Sequence, residues 1–130
     1  MSAVIETDVV ILGGGIVGAS AALMLVRMGK RVALLERDFC GSHSSGVNYG
    51  GVRRQGRPLS QLPLSQRAHQ IWGRLHELIG IDGEYVRSGH LKLARSHEDM
   101  AALQAYAEDS QGFGLGLQLL DRAELRARFP

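Results

Sequence analysis

Three glycines at a fixed spacing constrain this chain more than any other feature of its sequence. Residues 13–18 read Gly-Gly-Gly-Ile-Val-Gly, which matches the pattern G-x-G-x-x-G. They follow the apolar run Asp8–Leu12, which predicts a strand buried on both faces, and they lead into residues 16–28, which predict a helix ending before Gly29. Residues 31–36 form a second apolar run closed by an acid. This order predicts a right-handed βαβ crossover.

The glycines and the closing acid predict a dinucleotide site on this unit. Gly13 permits a tight turn out of the strand, Gly15 lets a pyrophosphate approach the backbone, and Gly18 lets the helix pack closely against the strand. We expect the pyrophosphate at the helix N-terminus, where unpaired N–H groups and the positive end of the helix dipole meet its charge. Glu36, at the end of the second run, is expected to accept the ribose hydroxyls.

A longer fingerprint supports this prediction, although a βαβ unit that binds nothing remains the alternative. The small, apolar and turn positions of that fingerprint are filled by Ala22, Leu25, Gly29 and Val32. A carboxylate at Glu36 repels a 2′-phosphate, which disfavours NADP, while the neighbouring Arg37 keeps that cofactor open. The fingerprint alone does not choose between FAD and NAD.

The composition of the chain disfavours several other classes of protein. The chain has 15 Lys and Arg against 13 Asp and Glu, a formal net charge of +2, and no long basic run, so nothing favours a nucleic-acid partner. The single cysteine, Cys40, excludes an intramolecular disulfide and a cysteine-based zinc site, and no other metal site is predicted. No positive region of a secretory signal is seen, and three glycines interrupt the uncharged stretch Val9–Val26. We predict a cytoplasmic protein without a transmembrane segment.

Beyond the first unit, the pattern predicts a polar functional loop over residues 37–63 and then alternating helices and short strands. Leu64–Ile79 has apolar residues at helical spacing and predicts one amphipathic helix. Capping-box patterns predict two further helices, one opened by Ser96 and one by Asp121. Three short apolar runs predict strands at Tyr85–Arg87, His90–Ala94 and Leu117–Leu120.

The order of these motifs resembles the D-amino-acid-oxidase-like family of FAD-dependent oxidoreductases, of the glycine oxidase and sarcosine oxidase β-subunit type. After the fingerprint these proteins have a polar Ser/Thr loop and then a segment of small residues, which residues 41–45 and 48–53 resemble. Residues 88–94 resemble the first strand of the family's substrate domain, and residues 120–130 are also similar to a family segment. The Gly-Gly-Val-Arg sequence at residues 50–53 makes the resemblance more specific than the fingerprint does.

The resemblance implies an α/β fold, with the N-terminal βαβ of a Rossmann-like FAD-binding domain of the GR2 type. It implies that residues 1–80 hold the FAD-binding βαβ unit, the cofactor loop and the following helix. Residues 81–130 are then the incomplete start of an α+β substrate domain with an antiparallel sheet. Because family members are considerably longer, we expect an N-terminal fragment that binds FAD poorly and is inactive by itself.

The resemblance also implies where the cofactor lies. In the family, the polar loop follows the ADP phosphates and ribose, and the small-residue segment passes close to the flavin ring. The fingerprint and the resemblance together give these cofactor-binding residues: Gly13, Gly14, Gly15, Ile16, Val17, Gly18, Glu36, Arg37, Ser44, Ser45, Gly50, Gly51 and Val52.

Arg53 is the candidate catalytic residue. Its guanidinium could bind a substrate carboxylate through two hydrogen bonds or stabilise negative charge on the reduced flavin. The alternative is that Arg53, Arg54 and Arg57 form a solvated turn face. His43 could contact a phosphate or the flavin, or it is a hydrogen-bonded loop histidine.

The reaction implied by the resemblance is oxidation of the C–N bond of an amino acid or secondary amine of the glycine, sarcosine, D-amino-acid or opine type. A hydride passes to the flavin, and the imine hydrolyses to a carbonyl compound. The expected partners are that small substrate and other subunits of a hetero-oligomeric oxidase. The electron acceptor stays open, and so do two other classes, an NAD-dependent Rossmann dehydrogenase and a non-catalytic ADP-binding module.

Overall fold

The computed structural model describes residues 4–130 as a mixed α/β chain with two compact units, Met1–Gly51 and Val52–Pro130. The first unit holds β1 (Val9–Leu12), α1 (Ile16–Arg27) and β2 (Val32–Leu35). The second holds α2 (Leu62–Trp72), α3 (Leu75–Ile79), α4 (His97–Asp109) and α5 (Arg122–Arg128), with short 3-10 turns at Leu59–Gln61 and Gln111–Phe113. None of the helices within residues 4–130 combines the length and the apolar character needed to cross a bilayer.

The first unit contains the predicted strand, helix and strand in the predicted order. Their ends agree with the predicted ends to within about one residue. β1 and β2 pair in parallel, in a register that runs from Val9 opposite Val32 to Leu12 opposite Leu35. Between α1 and β2 the chain turns at Gly29, whose φ of 79° lies in the left-handed region that favours glycine.

Close packing of α1 on β1 depends on Gly18. A Cβ added there would lie 1.9 Å from the carbonyl oxygen of Gly13 and 3.3 Å from Cγ2 of Ile11. Real Cβ atoms do not approach a carbonyl oxygen so closely, so a side chain at this position requires the helix or the turn to move. The packing role predicted for Gly18 is confirmed.

The strand at Asp8–Leu12 was predicted to be buried on both faces, and in the described residues it is not. Val10 and Leu12 of β1 remain 52% and 80% exposed. Among the described elements, α1 packs on this two-stranded sheet, and one helix covers only part of one face.

The second unit has a small core in which Leu62 is fully buried and Leu115 is 9% exposed. Arg54 connects segments next to this core by hydrogen bonds. Its guanidinium donates to Oε1 of Gln66 and to the carbonyl oxygens of Gly114 and Leu115, each carbonyl at 3.4 Å. Beside this core an aromatic cluster forms, in which the ring centroids of Trp72 and Tyr85 are 5.6 Å apart and those of His69 and Tyr85 are 6.5 Å apart.

The single helix predicted over Leu64–Ile79 is wrong in its extent. The structure begins α2 at Leu62, with Pro63 in the first turn, and breaks the helix before α3. The break falls at Gly73 and Arg74, where Arg74 has a non-helical φ of −126°. Glycine lowers helix propensity by about 1 kcal/mol relative to alanine, which accounts for the position of the break.

The three strands predicted in the second unit are not found. Residues 85–87, 90–94 and 117–120 have no strand assignment, because they make no ladder of backbone hydrogen bonds with another segment of the described chain. An apolar run favours extended backbone, but a strand exists only when a second strand pairs with it.

Both predicted helix caps are present, in different forms. Asp121 and Glu124 make a full capping box, with Asp121 Oδ1 accepting the Glu124 N–H at 2.8 Å and Glu124 Oε2 accepting the Asp121 N–H at 2.9 Å. Ser96 Oγ accepts the Asp99 N–H at 3.1 Å, but Asp99 Oδ2 accepts the Arg95 N–H instead of the Ser96 N–H. Only the first half of the box therefore forms at α4.

Candidate functional site

The turn between β1 and α1 presents unpaired backbone donors. Gly13 adopts a φ of 104°, and its N–H donates to the carbonyl of Leu35 at 2.8 Å, which extends the sheet pairing into the turn. At the start of α1, the N–H groups of Gly15, Val17 and Gly18 have no acceptor among residues 4–130. Unpaired N–H groups at the positive end of a helix dipole form a site suited to an anion.

Ser45 reaches this helix start from the polar loop. Its Oγ accepts the Ile16 N–H at 2.8 Å. A Cβ on Gly15 would lie 2.9 Å from the same oxygen, so the missing side chain of Gly15 makes room for the hydroxyl. Because a hydroxyl carries one donor and two acceptor sites, Ser45 can accept from Ile16 and still donate to an anion.

Glu36 joins the end of β2 to the glycine turn. Its Oε2 accepts the Gly14 N–H at 2.7 Å, while Oε1 accepts the N–H groups of Arg37 at 2.8 Å and Asp38 at 3.2 Å. These hydrogen bonds, above all the one from Gly14, lower the pKa of Glu36 below its ordinary value. A carboxylate offers about four acceptor sites, so Oε2 retains capacity for one further donor.

Gly14 is buried beneath the loop that follows β2. Its carbonyl accepts the Gly41 N–H at 3.1 Å, and a Cβ built on it would lie 2.6 Å from Sγ of Cys40. The structure thus places Gly14 where it holds Glu36 and the loop together.

A cleft of about 210 Å³ opens between the helix start and this loop. Four predicted cofactor residues line it together with three others: Gly15, Glu36, Ser44 and Ser45, with Gly41, Ser42 and His43. The hydroxyl oxygen of Ser42 is buried and has no hydrogen-bond partner in the described part of the chain. A buried unpaired hydroxyl is costly, so a polar ligand atom in the cleft would be favourable.

Sequence reasoning did not select Ser42, because three serines share the segment at residues 42–45 and only the folded loop shows which one is buried.

Charged side chains gather at one side of the cleft. Nε2 of His43 lies 2.9 Å from Oδ2 of Asp38 and 3.5 Å from Nη2 of Arg37. One ring nitrogen cannot donate and accept at once, so the shorter distance identifies Nε2–H as a donor to Asp38. One side-chain oxygen or nitrogen each from Glu36, Asp38 and His43 lies within 4.8 Å of the other two, a spacing that could hold a metal ion. The hydrogen bonds from the Asp38 N–H to Glu36 and from His43 to Asp38 account for that arrangement.

Gly50 and Gly51 end the first unit. Asn48 connects them to the polar loop, since its side-chain amide donates to the carbonyl of Ser45 and its Oδ1 accepts the Gly50 N–H at 2.7 Å. Gly50 has a φ of 69°, and Gly51 has open space where a Cβ would stand.

Val52 and Arg53 begin the second unit. Nη1 of Arg53 donates to the carbonyl of Gln55 at 2.6 Å, and Oε1 of Gln55 lies 2.6 Å from Nδ1 of His90. The Nε and Nη2 donors of the exposed Arg53 have no acceptor within the described residues. Arg53 can therefore still bind a carboxylate.

Arg54 differs sharply from Arg53. Its guanidinium contacts Gln66 and the carbonyls of Gly114 and Leu115. The alternative of a solvated turn face made by Arg53, Arg54 and Arg57 therefore does not hold for Arg54.

Comparison with known proteins matches residues 8–130 to the family described as FAD dependent oxidoreductase. The chain is 33% identical over 124 residues to a glycine oxidase from Geobacillus kaustophilus, with 90% of this chain and 33% of that protein aligned. It is 30% identical over 127 residues to an N-methyl-L-tryptophan oxidase from Escherichia coli, covering 95% of this chain and 33% of the relative.

A third relative, the FAD-dependent oxidoreductase domain-containing protein 1 of Bos taurus, is 30% identical over 137 residues, covering 96% of this chain and 28% of that protein. The chain thus spans about a third of the length of these relatives. No solved structure gave a significant match. The family predicted from the motifs is confirmed.

Proposed function

Because the chain belongs to the FAD-dependent oxidoreductase family, we propose that it is the N-terminal part of an enzyme that oxidises the C–N bond of an amino acid or secondary amine. Support comes from relatives named for oxidation of glycine and of N-methyl-L-tryptophan. When bound, FAD would supply the two-electron acceptor for that oxidation.

We place the ADP part of FAD at the cleft of the first unit. In this proposal the diphosphate oxygens accept hydrogen bonds from the N–H groups of Gly15, Val17 and Gly18. The buried hydroxyl of Ser42 gains a hydrogen-bond partner. The adenosine ribose donates to the remaining acceptor site on Oε2 of Glu36. The observation that carries the proposal is that one cleft of the described chain is lined by Gly15 with its unpaired N–H, by the Glu36 carboxylate and by Ser42 with its unpartnered hydroxyl.

Roles are also proposed for the remaining cofactor residues, from the geometry of the glycine turn and from the resemblance to the family. Gly13, Gly14 and Ile16 shape the turn and the helix start, and Ser45 donates to a phosphate oxygen while it accepts from Ile16. Further positions complete the proposed set, with Arg37 and Ser44 beside the ADP and Gly50, Gly51 and Val52 along the flavin ring.

Arg53 is proposed to bind the substrate carboxylate through its Nε and Nη2 donors. A guanidinium presents two parallel N–H groups at the spacing of the two carboxylate oxygens. The contact from Nη1 to the Gln55 carbonyl fixes the rest of the group and limits the freedom that it would lose on binding.

The wider organisation is also part of the proposal. Residues 1–80 would belong to a Rossmann-like FAD-binding domain, which the parallel pairing of β1 with β2 supports, and residues 81–130 would begin the substrate domain. We further propose a cytoplasmic enzyme with a small amine or amino-acid substrate, which assembles with other subunits. The 130-residue chain by itself is proposed to be inactive.

The test is the visible spectrum of the protein expressed from the complete gene, recorded before and after anaerobic addition of amino acids and N-methyl amines. A flavin band that bleaches with one compound would support the reaction class and identify a substrate. Absence of a flavin band, together with binding of NAD, would favour the NAD-dependent alternative, and binding of ADP without any amine-dependent bleaching would favour a non-catalytic module.

A further inference from the structure

We infer that His43 is a further cofactor-binding residue, which supplies positive charge to the diphosphate and makes its affinity depend on pH. This inference rests on the proposed function, because it requires the ADP part of the cofactor to occupy the cleft. Neither the glycine fingerprint nor the Ser/Thr pattern of the loop calls for a histidine at this position.

The first support is position. His43 lines the same cleft as Gly15 at the helix start and Glu36 at the end of β2. Its side chain is 57% exposed, so the imidazole is accessible to solvent and to a ligand in the cleft.

The second support is the balance of charge. The charged groups that face His43 are Asp38, Arg37 and Glu36, which together carry one positive and two negative charges. With a neutral imidazole the cluster therefore repels an anionic diphosphate, whereas a protonated imidazole makes the cluster neutral overall. Histidine is the side chain that most readily gains or loses a proton near neutral pH, and addition of a proton to the imidazole would remove this repulsion.

The ion pair with Asp38 does not remove the effect. Both partners are at least half exposed, with side-chain exposures of 57% and 50%, and exposed pairs are weak because water screens them. Protonation of His43 keeps the Nε2–H donor to Asp38 and adds the charge, so the loop keeps its shape while the potential of the cleft becomes more positive.

The experiment measures binding of ADP-ribose to the full chain by NMR, following the amide signals of Gly15 and Val17 between about pH 5.5 and 8. ADP-ribose is chosen because its doubly esterified diphosphate lacks the terminal phosphate ionisation near pH 6 that would confuse a titration with ADP. One unit charge about 7 Å from a phosphate in a wet cleft changes the affinity about threefold to tenfold. We expect affinity to increase by that factor as the pH falls.

Two variants separate charge from structure. His43→Gln should keep the weaker affinity of high pH at every pH. Asp38→Asn should bind ADP-ribose more tightly throughout and keep the pH dependence, because it removes a negative charge but leaves the imidazole. If Asp38→Asn instead weakens binding, or if His43→Gln weakens it equally at all pH values, the residues act through loop structure and the inference is wrong.

The remaining outcomes are also decisive. Binding with no pH dependence in the unaltered protein would overturn the role of His43 and leave the cofactor placement intact. No shift of the Gly15 and Val17 signals at any pH would count against the cofactor placement itself, and the inference would fall with it.

Discussion

In the first unit, Glu36 and Ser45 accept hydrogen bonds from backbone N–H groups of a glycine turn, whereas in the second unit the guanidinium of Arg54 donates to groups around a small apolar core. The first unit has no fully buried apolar side chain among its described residues, and its buried residue is Gly14. The second unit buries Leu62 and Leu115.

The difference shows that the two units depend on opposite features of their residues. In the first unit, the missing Cβ atoms of glycines allow backbone, carboxylate and loop to meet. In the second, specific side chains hold distant segments together, as Arg54 does with carbonyls about 60 residues later in the chain. Adding atoms should therefore disrupt the first unit, and removing polar groups should disrupt the second.

Gly18→Val should give the largest effect. The added Cβ would lie 1.9 Å from the Gly13 carbonyl oxygen, so α1 must separate from the turn, at an expected cost of about 3 kcal/mol or more. Amide hydrogen exchange of α1 and β2 measures this loss unit by unit. We expect rapid exchange in both elements and unchanged exchange in α2.

Gly51→Ala is the matched control in the same unit, because open space surrounds the position of its Cβ and its φ is not in the left-handed region. Its exchange should match that of the unaltered protein. Equal effects of the two substitutions would show that the packing of α1 on the turn does not limit the stability of this unit.

Arg54→Met should give an intermediate effect, confined to the second unit. It leaves Oε1 of Gln66 and the Leu115 carbonyl, which take part in partly buried contacts, without this donor. We expect a loss of about 1 kcal/mol, the lower end of the cost of a buried unpaired acceptor, because water reaches these groups in part. Arg53→Met, one residue earlier, removes only one contact within a surface turn and should change the free energy of unfolding by less than about 0.5 kcal/mol. Chemical denaturation followed by Trp72 fluorescence measures both, and a larger loss for Arg53→Met would reverse the roles assigned here.

The parts of the fold that were predictable from sequence are those set by local constraints. The strand, helix and strand of the first unit follow from apolar runs separated by glycines, and the Asp121 cap follows from a residue pair three positions apart. The strand predicted at His90–Ala94 depends on a pairing partner, which no local pattern supplies.

The same limit applies to the candidate site. Gly15, Glu36 and Ser45 were predicted from spacing and resemblance, and the structure brings them to one cleft. The burial of Ser42 and the Asp38–His43 contact arise from the path of the loop over Gly14, which the loop composition does not determine.

Lowering the pH should destabilise the second unit before the first, and this is the smallest effect of the series. Burial, followed by the charges of Arg54 and Arg87, lowers the pKa of His69 below its ordinary value of 6.5. The unfolded chain therefore takes up this proton first, and the second unit loses stability as the pH falls below about 6.5. Hydrogen bonds lower the pKa of Glu36 below 4.5, so the first unit loses the stability contributed by that carboxylate only below that lower pH.

Amide hydrogen exchange of each unit between about pH 7 and 5 tests this order, because it reports the free energy of local opening in each unit separately. His69→Gln should flatten the response of α2 and leave β2 unchanged. Arg54→Met should also reduce its slope, because it removes one of the two positive charges that oppose protonation of His69. If α2 keeps its full pH response in the His69→Gln protein, another group in the second unit controls the acid sensitivity.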